Sequence, residues 1–333
     1  MRTKNQVPHS SSPALRGVLI AAFVFTAIFA VSHSRHAEDF VLETEHLPEL
    51  LPHQHDAGEA VEDKGHHKYL YSKIITAPRD LWISSMSFDI VNAPDTAVHH
   101  AAVLILDEPH QTCKNIPFKE FAGFPQDIMH TPTISFPEGT GMLIRKGERF
   151  KLLLMAHNPL PPVGPGAIYH DVFGRLTISL YSEGETAGLK EVLFHLIHLD
   201  QTPCKGEYSD RTEAFIFQVP PHTMNYTFSG TSAPDDPAHF TFKKPSTIVY
   251  VGGHLHGWQD GKTVVVKKNK KPFLTFITTL SPRYPYRYDS QYYTTHISVD
   301  AGDTLSISAT YDNIGDVKIR GAMGMLEMYY YEN

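Results

Sequence analysis

Val249-Tyr-Val-Gly-Gly-His254-Leu-His256-Gly-Trp258 sets two imidazoles two residues apart in a run of β-favouring residues. On a strand, residues i and i+2 project from one face, so both rings can grip a single metal ion. Gly253 and Gly257 carry no side chain and leave room around the pair. The chain has 21 histidines, so composition alone also supplies a solvated His-x-His by chance. What decides between the two is the company the motif keeps.

Three further features keep that company. His99-His100 leads into Ala101-Ala-Val-Leu-Ile-Leu106. Adjacent residues on a regular strand face opposite ways, so both rings can serve one ion only where the backbone bends, at a strand end or a bulge. His66-His67 is a second such pair, and composition predicts about one by chance. Arg149-Phe-Lys-Leu-Leu-Leu-Met-Ala-His157-Asn-Pro159 is an apolar strand ending in one histidine beside a Pro-rich loop, with His170 nearby in sequence. The C-terminal run Gly321-Ala-Met323-Gly-Met325-Leu-Glu-Met328 carries thioethers. Methionine is usually core filler, but its sulfur is a soft ligand that favours Cu(I).

In order, these are a His-His pair, a single His after an apolar strand, a His-x-His pair and a Met near an aromatic C-terminus. That series resembles the copper type II, ascorbate-dependent monooxygenases, the family of peptidylglycine alpha-hydroxylating monooxygenase and dopamine beta-monooxygenase. The likeness covers roughly residues 70–333. It implies an all-β chain of two jelly-roll-like β-sandwich domains, with a copper site in each, facing across a solvent-filled cleft. Carried over by motif, His99, His100 and His157 would hold the electron-storing copper. His254, His256 and Met323 would hold the oxygen-activating one, with Met325 on the same strand face as the alternative thioether. The implied reaction hydroxylates a C–H bond of an organic substrate, with dioxygen as oxidant and ascorbate as reductant, and two coppers per chain.

The chain also departs from that family. Peptide-hydroxylating members carry an Arg two residues before the His-x-His pair to anchor a substrate carboxylate; here the position is Gly252. Their helper Asn and Tyr correspond to Met325 and Glu327. The chain has only two cysteines, fewer than the family's core, and no second lyase domain is visible. Peptide amidation is therefore in doubt, and the substrate is not named by the sequence. An exported copper-binding protein on the same scaffold and a β-sandwich interaction module are the competing readings. A multicopper oxidase is excluded because no His-Cys-His run accompanies His-Leu-His-Gly.

The elements that must position these residues are short strands. β-type runs occupy 81–90, 101–106, 150–155, 176–181 and 192–199, then 214–219, 226–229, 247–251, 263–267, 273–278, 294–299, 304–310 and 324–331. Turn clusters such as Asn92-Ala-Pro-Asp95 and Pro137-Glu-Gly139 separate them. Many short strands with regular turns predict β-sandwiches. The expected division is 69–203 and 204–333, with a break near 201–211.

Before residue 69 the chain reads differently. Arg2, Lys4 and Arg16 precede an apolar run over 17–31, the pattern of a signal peptide or a single-pass anchor in residues 1–32. Either places the chain beyond residue 32 outside the cytoplasm. Residues 33–68 are acidic and dotted with Pro and His, the composition of a disordered linker. The net charge of −7 and the lack of a basic stripe argue against a nucleic-acid partner. Cys113 and Cys204 can form one disulfide in an oxidising compartment or stay as thiols.

Overall fold

The structure, a computed structural model, describes residues 39–52, 68–109, 118–125, 133–158, 166–199, 217–230, 238–256, 261–277 and 291–333. The apolar run over 17–31, both cysteines and the expected break near 201–211 lie outside the described residues. By its contacts, His36–Asn333 is one compact unit.

Twenty-one strands and two single-turn 3-10 helices make up the described chain, and no α-helix is among them. In the first half these are β1 (Asp39–Glu43), β2 (Leu47–Leu50), β3 (Lys68–Tyr71), β4 (Ile75–Thr76), β5 (Leu81–Val91), β6 (Val98–Leu106), β7 (Phe118–Pro125), β8 (Thr133–Ser135), β9 (Thr140–Ile144), β10 (Arg149–Ala156), β11 (Tyr169–Leu180) and β12 (Lys190–His198). In the second they are β13 (Phe217–Val219), β14 (Thr223–Ser229), β15 (His239–Thr241), β16 (Ser246–His256), β17 (Gly261–Lys268), β18 (Lys271–Ile277), β19 (Gln291–Val299), β20 (Thr304–Asn313) and β21 (Ile319–Glu332). The protein is thus all-β and built of several sheets.

Three sheets hold it together. One runs β1-β11-β5-β9-β12-β21-β16-β19 and passes from the first half into the second at the parallel pair β9–β12. A five-stranded sheet, β3-β10-β6-β7 with β4, belongs to the first half, and another, β14-β20-β17-β18 with β15, to the second. Two hydrophobic cores result. The first gathers Met86, Phe124, Phe150 and Leu154. The second gathers Phe217, Phe242, Val266 and Tyr311.

β21 is the axis of the second half because both its faces are buried. Leu326 and Met328 point into the second core, whereas Tyr329, on the alternate face, belongs to the first. There the Tyr329 hydroxyl donates to the Gly123 carbonyl at 3.1 Å and accepts from the Gly123 N–H at 3.2 Å. The buried hydroxyl thus satisfies a donor and an acceptor on β7, tying the two halves together.

Two expectations need correcting. The stretch read as a disordered linker includes β1 and β2: Leu42 and Leu50 are buried, and β1 pairs β11 from Asp39↔Ser179 to Glu43↔Arg175. The acidic residues of β1 lie on its solvent side, where Glu43 pairs with Arg175, while Leu42 fills the core. Alternation outweighs composition here. Residues 33–38 and 53–67 of that stretch lie outside the described residues. The second correction concerns β12, which precedes the expected break yet pairs along its length with β21, from Val192↔Tyr331 to His198↔Met325. It is the strand at which the long sheet passes from β9 to β21.

Candidate metal centre

The first histidine pair sits on a bulge. β6 pairs β10 in regular register until Met155↔His100, but the next pair is Ala156↔Val98. His99 is the extra residue, which lets two adjacent side chains reach one region. The ladder then continues through His157, whose N–H donates to the Ala97 carbonyl at 2.9 Å. Asn158, buried, anchors the end of this segment by donating from Nδ2 to the carbonyls of Leu50 and Ala167 at 3.0 and 2.7 Å. β2, within the supposed linker, therefore helps hold the histidine in place.

The rings meet as these strand ends require. The His99 and His100 ring centroids are 4.5 Å apart, and those of His99 and His157 are 5.1 Å apart. His99 and His157 are buried, and His100 is half-buried. His157, some sixty residues downstream, is therefore the partner of the pair. His170 is instead exposed and lies beside Glu49.

The second group lies on β16 and β21. Their register pairs His254 with Met325 and His256 with Met323. Directly opposed residues share a sheet face, so Met325 is the cross-strand neighbour of His254. Met323 and Met325 are both buried. A Cβ on Gly253 would overlap the Phe276 ring, and one on Gly324 would come within 2.9 Å of Leu199 and Ala309 side-chain atoms. These glycines let the second core pack tightly behind the face that carries His254 and the methionines. Gly253→Ala is expected to cost about 1–3 kcal/mol and to displace β16 at His254, because the buried ring and the strand must part. Urea unfolding measures the cost, and an unchanged midpoint would show that Phe276 yields freely.

The two groups are in contact. His254 is buried, and its ring centroid lies 5.5 Å from that of His100. Four imidazoles, from β6, from the residue after β10 and from β16, thus form one contiguous cluster at the seam between the halves. The expected solvent-filled cleft does not separate His100 from His254, because the face of the β12-β21-β16 sheet packs directly onto the first half. Burial first, and then the His100 ring, hold His254 well below the usual histidine range. It is neutral at physiological pH, with a nitrogen lone pair to offer. Among the described residues, no three His, Cys, Asp or Glu side chains stand as a ready-made metal-holding group. Thioethers are not of those types, and the His256 side chain lies outside the described residues. The donor chemistry nevertheless suits copper: imidazoles close together, three of the four buried, and soft sulfur on the neighbouring strand.

Two buried groups here carried no signal in the sequence. His198, at the end of β12, is fully buried and stands opposite Met325 on the side away from His254. Glu327 is buried, with Oε2 making no hydrogen bond. Burial first, and then the Glu120 charge, push its carboxyl up to about 8. A Cβ at Gly123 would come within 2.8 Å of Glu327 Oε1, and Gly252 stands opposite it on β16, so two glycines make its space.

Comparison with known proteins adds little. No known family profile and no curated protein matches the chain. Among solved structures, a recombinant peptide: N-glycanase F is 9% identical with a TM-score of 0.41, covering 89% of this chain and 96% of that one. The major capsid protein P2 of bacteriophage PM2 is 6% identical with a TM-score of 0.32, covering 88% and 97%. A fucolectin from Morone saxatilis (striped bass) serum is 10% identical with a TM-score of 0.19, covering 87% and 96%. None of these three is named as a copper monooxygenase, and likenesses this slight carry no conclusion about activity.

Proposed function

We propose that the chain is a copper-dependent monooxygenase that hydroxylates a C–H bond of an organic substrate, using dioxygen and ascorbate. The observation that carries the reading is the ring cluster. His99, His100, His157 and His254, singled out by motif and spread over more than 150 residues, come into contact where the two halves meet. In this reading each half is a jelly-roll-like sandwich that contributes one copper site, and the two sites adjoin at the seam.

Copper, when bound, supplies one-electron redox chemistry and dioxygen activation. The chain's residues do the rest. His99, His100 and His157 offer three nitrogen donors from a bulge and a strand end, backed by the hydrogen bonds of buried Asn158. A set fixed in this way suits a centre that keeps its ligands while its charge changes by one. His254, His256 and a thioether from Met323 or Met325 offer a softer set on β16 and β21. Burial of His99, His157 and His254 keeps bulk water from the seam, and half-buried His100 marks the side nearest solvent. The apolar N-terminal run supports an extracytoplasmic location, secreted or anchored, where ascorbate and oxygen are available. Among the described residues no helix is long and apolar enough to cross a membrane.

The burial of three of the four rings also suits a second reading, an exported copper-handling protein without turnover. Ascorbate-dependent oxygen uptake, measured across a panel of small organic substrates on copper-loaded protein, separates the two. Uptake coupled to a hydroxylated product is the expected result. Tight copper binding with no uptake on any substrate would leave only the copper-handling reading.

A further inference from the structure

We infer that His198 and Met325 complete a copper site with His254, a set His–Met–His laid across three adjacent strands. This deepens the functional reading above, on which it rests, by naming the ligands of its second site. His198↔Met325 and Met325↔His254 are consecutive cross-strand pairs, so β12, β21 and β16 present the three residues in one row. The row's orientation is fixed independently by its neighbours. Ile197 and Leu199, Leu326 and Met328, and Val251 and Leu255 all lie in the second core. Their alternates, His198, Met325 and His254, therefore face the first half. The His254–His100 ring contact agrees with that direction.

The register of the row cannot slip easily. Beyond His198, the Leu199 N–H donates to the Gly324 carbonyl at 2.8 Å and carries the ladder one residue further. His198 and His254 stand two strand spacings apart, about 10 Å between Cα atoms, with Met325 between them. In the proposed site the two imidazoles lean inward across that gap to meet above the thioether. Two imidazole nitrogens and one sulfur, all buried, form a set that prefers Cu(I) and tolerates little water. Met323 pairs with His256, two pairs further along β21, and lies outside the row. No sequence motif marks His198; it is a single histidine in Phe194-His-Leu-Ile-His198-Leu199.

The test is Cu(I) affinity, measured anaerobically with copper(I) alone against a chromogenic chelator, together with the copper–sulfur shell in X-ray absorption. His198→Asn and His198→Leu are expected to weaken the second Cu(I) at least tenfold while leaving the first in place. Met325→Ile should remove the copper–sulfur shell, and Met323→Ile should keep it. Affinity within twofold of wild type in a folded His198 variant would overturn the inference. So would a shell lost in Met323→Ile but kept in Met325→Ile, an outcome that needs no folded His198 variant. A wild type that binds no copper sinks the functional reading itself. Copper bound equally well with and without His198 sinks this inference alone.

Discussion

His157→Ala is expected to fold, to bind its first copper at least ten- to a hundredfold more weakly, and to lose ascorbate-driven turnover in proportion. On the proposed function the buried His157 ring, 5.1 Å from that of His99, is a copper ligand. Disturbing even the outer partners of a metal ligand typically costs 10–100-fold in affinity, and removing a ligand costs no less. The variant should keep its second copper, because His254 and the thioethers lie on other strands. Copper titration followed by oxygen uptake reads both effects. His170→Ala serves as the control. It lies exposed beside Glu49, and its loss should leave both measurements unchanged.

Copper-free protein should lose stability as the pH rises from about 4.5 through 8, and Glu327→Gln should abolish most of that loss. The Glu327 carboxyl is pushed up to about 8 by burial and by Glu120, so the folded chain holds a proton there that the unfolded chain releases near the usual value of 4.5. A group whose folded pKa is raised gives stability that is fully present below the unfolded value and is lost as pH rises through the folded one. A rise of this size is worth a few kcal/mol, at about 1.4 kcal/mol for each tenfold change in proton affinity. His254 acts in the opposite direction. Its ring is held well below the usual range, so stability falls as the pH drops below about 6.5, where the unfolded ring takes up a proton. Chemical unfolding of wild type and Glu327→Gln from pH 5 to 9 checks both slopes. If the two proteins have parallel profiles above pH 6, Glu327 is not held neutral by burial.

The sequence shows much of this architecture, and the reasons are local. Strong β-formers bounded by turn residues mark β5, β10, β16, β20 and β21. The bulge at His99 is expected on one condition, because two adjacent rings on a strand can serve one ion only where the backbone bends. The partnership of His157 with that pair comes from the family resemblance, since its own strand says only that it stands at a strand end. β1 and β2 are not legible, since their carboxylates dominate the composition while Leu42 and Leu50 do the packing. β7 is obscured by its glycine and proline. The sheet to which β12 belongs depends on its pairing with β21, nearly 140 residues away. For the same reason His198 is invisible from its neighbours and becomes meaningful only through register. The contact between His100 and His254 has no local signal at all. It arises from the packing of two sheets, each of which satisfies its own pattern without the other.

Copper stoichiometry of the purified chain, measured after anaerobic Cu(I) loading and removal of loosely held metal, tests the two-copper proposal most directly. Two tightly held coppers per chain are expected, falling to one in His157→Ala and to one in His254→Ala. A wild type that retains no copper, or that retains the same amount with both histidines replaced, would contradict it.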